Sequence, residues 1–327
     1  MDAAIRTEHL TKIYGGRVIA VNDMTFEVPR GAIYGLLGPN GAGKTTTLKL
    51  LLGLQRPTAG RAEVFGRPCG PNAVEVRRAI GYLPTHPTLP GHLRPIEYLD
   101  LLGQLCRLPA EVRRPRLTSL LRAVGLTGMC TRLGIAASLV ADPPLLLWDE
   151  PTAGLDPAAR RFTIDLIREL GKNRTVVVAT HILSDIEQVC DHVGVMHEGR
   201  MIFSGTMRDM KRRLRFDAFT IELDGPADRI DQLARQSADL AGAEIALRDG
   251  NLLVVRIGAD QSRAALLAEL FRRVEAAGLG LQAIRSGQNE TENAYLQLLQ
   301  EDQAHGFQRF DLELVQPADA SDGHLPA

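Results

Sequence analysis

An α/β fold built on a parallel sheet is predicted by three stretches of the sequence. The first is Gly38-Pro39-Asn40-Gly41-Ala42-Gly43-Lys44-Thr45-Thr46, which fits G-x-x-x-x-G-K-[ST]. It lies between an apolar strand-like run (Ile33, Leu36, Leu37) and a helix-like run from Thr46 to Leu52. The second is Leu145-Leu146-Leu147-Trp148-Asp149-Glu150-Pro151, an apolar strand that ends in two carboxylates. The third, Thr175 to Ala179, is β-branched in the manner of a strand buried on both faces, and it ends at Thr180-His181. A length of 327 residues suggests two domains. The pattern changes after residue 215, where a smaller α+β unit is expected.

Bulk composition narrows the function. Lys and Arg number 38 against 39 Asp and Glu, a formal net charge of −1, so no global charge argues for a nucleic-acid partner and none is expected. Hydrophobic residues make up 45% of the chain, enough for real cores. No apolar run approaches the ~20 residues that span a bilayer. The first residues, Met1-Asp2-Ala3-Ala4-Ile5-Arg6, carry no apolar signal-peptide core. A soluble, cytoplasmic chain is therefore expected. Cys69, Cys106, Cys130 and Cys190 are far apart with no C-x-x-C pair, and read as reduced structural thiols.

In chain order, Val18, Ile19 and Val21 lead to Met24, Phe26 and Val28, which alternate as a half-buried strand does. Pro29-Arg30-Gly31 turns the chain into the strand that feeds the glycine-rich loop. In that loop small residues let the backbone close around phosphates, and N–H groups at the helix start point at the anion. Lys44 supplies a charge for the outer phosphates, and the Thr45 hydroxyl a magnesium ligand. A chance glycine-rich turn would lack this strand–loop–helix context. Tyr14 reads on its own as a loop tyrosine or as a ring that stacks on adenine. Leu48, Leu51 and Leu52 form a short helix face ending near Gly53, Pro57 to Gly60 is a turn, and Glu63 to Gly66 is a short strand. Val74 to Arg78 is a helix and Ile80 to Leu83 a strand.

Residues 86–141 form a helical insert. Prolines 84, 87, 90 and 95 break the chain, and then Ile96, Leu99, Leu102 and Leu105 recur at near-helical spacing, as do Leu117, Leu120, Leu121 and Val124. Arg113, Arg114, Arg116 and Arg122 read as a solvated helix face. At the next strand end, Asp149 suits magnesium and Glu150 suits orienting and polarising an attacking water; the bland reading is an acidic pair facing solvent. Thr152 to Pro157 is a turn before an amphipathic helix (Phe162, Ile164, Leu166, Ile167, Leu170). His181, at the C-terminal end of a parallel strand, would taken alone read as a structural histidine; on the ligand-binding edge of such a sheet, contact with a terminal phosphate is expected. Ile182 to Val189 is helical, and the segments 194–197 and 201–203 form a closing hairpin.

Lys211-Arg212-Arg213-Leu214-Arg215 closes the first domain, residues 1–215. Residues 216–302 read β-α-β-β-α-β: a strand at Phe219 to Leu223, a helix at Ile230 to Leu240, strands at Glu244 to Leu247 and Leu252 to Ile257 around an Asp249-Gly250-Asn251 turn, a helix around Leu266 to Val274, and a strand at Leu279 to Ile284. This is the order of a ferredoxin-like unit. No catalytic cluster appears in it, so a regulatory or dimerising role is expected. A short helix follows at Thr291 to Leu296, and residues 303–327 are a polar tail.

Taken in order, the phosphate loop, Trp148-Asp149-Glu150-Pro151-Thr152-Ala153-Gly154-Leu155-Asp156-Pro157 and Ala179-Thr180-His181-Ile182-Leu183 resemble the nucleotide-binding subunit of ABC transporters over roughly residues 5–210. The wording is similar to the drug, antibiotic and lipid exporter (ABC-2 type) group. The resemblance implies a P-loop NTPase fold, an ATPase reaction, and ATP and Mg2+ as ligands. It assigns Tyr14 to adenine, residues 38–46 to the phosphates, Thr45 and Asp149 to magnesium, Glu150 to catalysis, His181 to the terminal phosphate and Asp156 to a dimer contact. Its implied partners are a second ATP-binding subunit, identical or different, and a separate integral membrane permease, which would place the chain peripherally at the inner face of the cell membrane.

Two departures qualify this. The family carries glutamine or glutamate where this chain has Thr85, too short to reach magnesium and the attacking water. The family's L-S-G-G-Q region corresponds to Leu126-Thr127-Gly128-Met129-Cys130-Thr131, which is shortened, although the continuation Arg132 to Ala137 is present. Either Thr127-Gly128-Met129 still serves the facing nucleotide, or the chain binds ATP and offers its partner a defective half-site. The first reading gives an ATPase that powers export, the second a regulatory ATP-binding subunit with little turnover. A P-loop kinase fits less well, because the carboxylate pair and the histidine suit water activation.

Overall fold

Residues 2–88, 90–124, 130–212, 216–237, 243–248, 251–258, 263–286 and 290–304 are described by a computed structural model. The stretch from Gly125 to Met129, which holds most of the shortened L-S-G-G-Q counterpart, lies outside them, as do Asp249-Gly250 and the tail from residue 305.

Strand β1 (Ala3–Tyr14) runs antiparallel to β2 (Val18–Pro29). β3 (Ile33–Leu37) enters the glycine-rich loop, and α1 (Lys44–Leu51) leaves it. Next come β4 (Ala59–Val64), β5 (Arg67–Pro68), α2 (Val74–Arg78) and β6 (Ile80–Leu83). β4 begins earlier than the predicted 63–66, because its register against β1 already runs at Thr11↔Ala59. The insert consists of α3 (Pro95–Leu105), α4 (Ala110–Val124) and α5 (Cys130–Leu139). The chain then returns through β7 (Leu145–Asp149), α6 (Pro157–Gly171), β8 (Thr175–Thr180), α7 (Leu183–Val189), β9 (His192–His197), β10 (Arg200–Thr206) and α8 (Met207–Arg212).

Two sheets result. The main sheet has the order β10-β9-β3-β8-β7-β6; every pair in it is parallel except β10 with β9. The second, in the order β2-β1-β4-β5, is antiparallel. β3, β7 and β8 are buried at every position, as their unbroken apolar runs require. Between the sheets lies one core, in which Leu10, Met24 and Val28 meet Leu48, Leu51, Leu147 and Ala179, and the rings of Phe26 and Tyr34 stack with centroids 5.9 Å apart. This core fixes α1, and with it the start of the helix that follows the loop. Cys69, Cys106 and Cys190 are free thiols.

The arginines of α4 are not all solvated. Arg113 donates to Asp100 at 2.7 Å and to the Leu108 carbonyl at 2.8 Å, and Arg116 reaches the Val140 carbonyl at 3.2 Å. Arg114 and Arg122 are exposed as predicted. Long guanidinium stems can cover apolar surface while the head finds carbonyls at helix ends, so a charge run by composition becomes stitching in three dimensions.

The second unit contains β11 (Phe216–Asp224), α9 (Ala227–Ser237), β12 (Ala243–Arg248), β13 (Leu252–Gly258), α10 (Arg263–Ala276) and β14 (Gly280–Ser286). Its sheet order is β12-β13-β11-β14, antiparallel throughout: the split β-α-β arrangement that the element order predicts. Ile221, Leu253, Val255 and Leu270 form the centre of its own core. Contacts divide the chain at Met207/Arg208, where the boundary was expected at 215, and place the described residues 301–304 with the first unit. An ion pair accompanies that return. α11 (Glu290–Ala304) carries Asp302, which His197 holds at 2.8 Å, with Arg200 at 3.6 Å.

Candidate active site

The C-terminal ends of β3, β8 and β7 are neighbours in the main sheet, so the glycine-rich loop, His181 and the Asp149-Glu150 pair come to one edge. Gly38 donates its N–H to the Thr180 carbonyl at 3.3 Å, so the loop begins pinned to the end of β8. Two of its glycines are required by space, and one of these by conformation as well. A Cβ on Gly38 would lie 2.4 Å from the Met196 carbonyl oxygen, and one on Gly43, whose φ is +97°, would lie 2.2 Å from that of Ala20. From outside, the turn after β9 braces the loop: Gly199 donates to the Ala42 carbonyl at 3.2 Å.

Lys44 is 5% exposed. Its ammonium donates to the carbonyls of Gly38 at 2.7 Å and Pro39 at 3.2 Å, and stands 3.3 Å from Glu150 Oε1. Thr45, next on the helix, donates its hydroxyl to Asp149 Oδ2 at 2.7 Å. Asp149 is 1% exposed, and its other oxygen, Oδ1, is buried without a hydrogen-bond partner. An unpaired buried carboxylate oxygen is costly unless a cation meets it. No group of three or more His, Cys, Asp or Glu side chains among the described residues gathers to hold a metal unaided. Thr45 and Asp149 thus fit an oxygen-seeking divalent ion that draws its remaining ligands from phosphate and water, as magnesium does. Burial and the negative charge of Asp149 push the phenol of Tyr82, on β6, up to about 12, so it stays protonated beside this carboxylate.

Glu150 has φ +51°, a left-handed conformation for a side chain that is not glycine. Such a residue stores on the order of 1–3 kcal/mol and persists only when its surroundings determine it fully. Its N–H donates to the Ala179 carbonyl at 2.8 Å. Its Oε2 accepts from the Thr180 hydroxyl at 3.0 Å and lies 3.0 Å from His181 Nδ1. The bend carries the carboxylate from the end of β7 toward the end of β8. The His181 side chain is 44% exposed, and that of Glu150 is 9% exposed.

Lys44, Thr45, Asp149, Glu150 and His181 therefore meet at one sheet edge. Tyr14 does not join them by any hydrogen bond or ion pair among the described residues. Its hydroxyl donates to Gln55, beyond the end of α1, and the Lys12 ammonium lies 5.2 Å from its ring centroid. Asp156 caps α6, its Oδ1 accepting from the N–H groups of Ala158 and Ala159, both at 2.9 Å. An Asp-Pro pair before an amphipathic run is a legible cap that motif reading passed over. Also missed was buried Asp185, which accepts from Thr152 and Arg160; these lie 33 and 25 positions away, so no local pattern signals the contact.

Comparison with known proteins gives the following similarities. A family model described as ABC transporter matches residues 21–153. The chain is 36% identical over 308 residues to the daunorubicin resistance ATP-binding protein DrrA3 of Streptomyces coeruleorubidus, covering 90% of this chain and 92% of that one. It is 39% identical over 229 residues to the bacitracin transport ATP-binding protein BcrA of Bacillus licheniformis, covering 66% and 74%. Among solved structures, an ATP-binding subunit of an ABC transporter superposes with a TM-score of 0.59 at 30% identity, covering 64% of this chain and 92% of that one.

Proposed function

The chain belongs to the ATP-binding subunits of ABC transporters, and from that premise we propose that it closes on ATP against a second such subunit and drives export through a separate integral membrane permease. It is an ATPase subunit by family. The export reading draws support from relatives named for drug resistance and for bacitracin transport. Among the described residues no helix is long and apolar enough to cross a membrane, which fits a peripheral subunit that reaches the inner membrane face through its permease. The observation that carries the hydrolytic reading is the meeting at one sheet edge of two linked sets, Thr45 with Asp149, and Glu150 with Lys44 and His181, each within hydrogen-bonding or ion-pair range.

In this reading the loop of residues 38–46 wraps the phosphates and turns N–H groups at the start of α1 toward them, and the Lys44 ammonium turns from the loop carbonyls to the outer phosphate oxygens. Magnesium, when bound with ATP, would be held by Thr45 and Asp149 and would neutralise phosphate charge. Glu150 orients and polarises the water that attacks the terminal phosphate, and His181 leaves Glu150 Oε2 to donate to that phosphate. Tyr14 is the residue proposed to stack on adenine. With its permease, Glu150→Gln should keep ATP binding and lose turnover by about 10²–10⁴-fold. Turnover within a few-fold of wild type would remove Glu150 from this role.

A second reading rests on Thr85. It follows β6, whose neighbour in the sheet is β7, so it stands beside the Asp149 strand with a side chain too short to serve as the family's glutamine or glutamate does. Here the chain binds ATP, turns it over poorly and pairs with a competent partner. Hydrolysis by the purified chain alone at rates ordinary for the family would exclude it.

A further inference from the structure

Glu150 and His181 sit on two separate loops, one after β7 and one after β8. Thr180 and His181 tie these loops together by gripping the Glu150 carboxylate itself. That grip cannot be the permanent one, because the same carboxylate has to address water and the same histidine the phosphate. A second rung joins the loop after β7 to the first turn of α7, two residues beyond Glu150 and four beyond His181. The Thr152 hydroxyl donates to Asp185 Oδ2 at 2.5 Å. Asp185 Oδ1 accepts from Arg160, in the first turns of α6, at 2.7 Å from Nε. Arg160 Nη2 also donates to Ser184 at 2.7 Å.

This rung differs from the first, in which His181 is exposed. Thr152 and Asp185 are each 2% exposed, so water cannot replace either partner without leaving a buried polar group unmet. It also acts on the backbone of the loop after β7 and leaves the reacting carboxylate free. The left-handed φ of Glu150 needs restraint on both sides. On its N-terminal side β7 and the bond to Ala179 supply it. On its C-terminal side the Pro151-Thr152 segment ends in the buried bond to Asp185.

We propose that Asp185, through Thr152, is a positioning residue for hydrolysis: it holds Glu150 at its catalytic angle while His181 moves from Glu150 to the phosphate. The inference rests on the hydrolytic reading of the site. Arg160 compensates the buried charge and couples the rung to α6.

The test uses the full chain with its permease, comparing Thr152→Val, Thr152→Ser and Asp185→Asn with wild type for turnover, KM and nucleotide affinity. Misplacing a catalytic group by about 1 Å costs on the order of 10²-fold. Thr152→Val and Asp185→Asn should each lower turnover about 10–100-fold with ATP affinity and KM within about twofold of wild type. Thr152→Ser, which keeps the hydroxyl, should remain within about threefold, and the double variant Thr152→Val/Asp185→Asn should be no worse than the poorer single one. Should Asp185→Asn fail to fold, the Thr152 pair carries the test alone. Unchanged turnover in Thr152→Val, equal damage in Val and Ser, or a fall in ATP affinity that matches the fall in turnover would overturn the assignment. A wild-type complex that binds ATP without turnover would overturn the hydrolytic reading and this inference with it.

Discussion

The first unit is α/β and the second α+β; both bury apolar cores, yet they leave different groups unmet. At the edge of the main sheet, Asp149 Oδ1 has no partner, and Glu150 Oε1 has only the ammonium of Lys44, at 3.3 Å and outside hydrogen-bond geometry. In the second unit the one such buried side-chain atom among the described residues is a neutral hydroxyl, that of Ser237. Unmet carboxylate oxygens cost more than an unmet hydroxyl, and a bound cation can recover that cost. The contrast sets a surface that a ligand would complete against a body in which, among the described residues, no carboxylate oxygen is left unmet. Its second half is the antiparallel ladder of β12-β13-β11-β14 around Ile221, Leu253 and Val255, each fully buried or nearly so.

The largest effect that can break this contrast is a cavity in the second unit. Ile221→Ala, on a central strand, should destabilise that unit by about 2–5 kcal/mol while leaving ATP affinity unchanged. Calorimetry and nucleotide titration on the same sample read both quantities, and a parallel loss of affinity would mean that the units are not separable in this way.

A smaller effect sharpens the first half. Asp156→Ala removes the cap of α6 and should cost about 0.5–2 kcal/mol in the first unit. Turnover by the complex decides what else Asp156 does. A loss far beyond the stability change would add the dimer contact that the family resemblance implies, and a loss in proportion would leave capping as its role.

The readable parts of this molecule are those where local chemistry and function coincide. Residues 38–46 and the Asp149-Glu150 pair announce themselves, because phosphate and magnesium demand particular residue types at particular spacing. The second unit was legible through strand and helix periodicity alone. Three features were not. The separate β2-β1-β4-β5 sheet depends on pairing, and periodicity says nothing about which strands pair. Arg113 and Arg116 looked like a solvated face, because composition does not show the carbonyls at neighbouring helix ends. The Thr152–Asp185 bond joins residues 33 positions apart in sequence and takes its meaning from the left-handed Glu150, which no residue pattern encodes.

The most direct measurement of the central claim is differential scanning calorimetry of the full chain without ligand, with Mg-ATP, and with ATP in excess chelator. The account predicts that Mg-ATP at 100 times its Kd stabilises the first unit by about 2.7 kcal/mol, that the chelator removes most of this gain, and that the transition of the second unit stays in place. Equal stabilisation with and without magnesium, or a shift confined to the second unit, would contradict it.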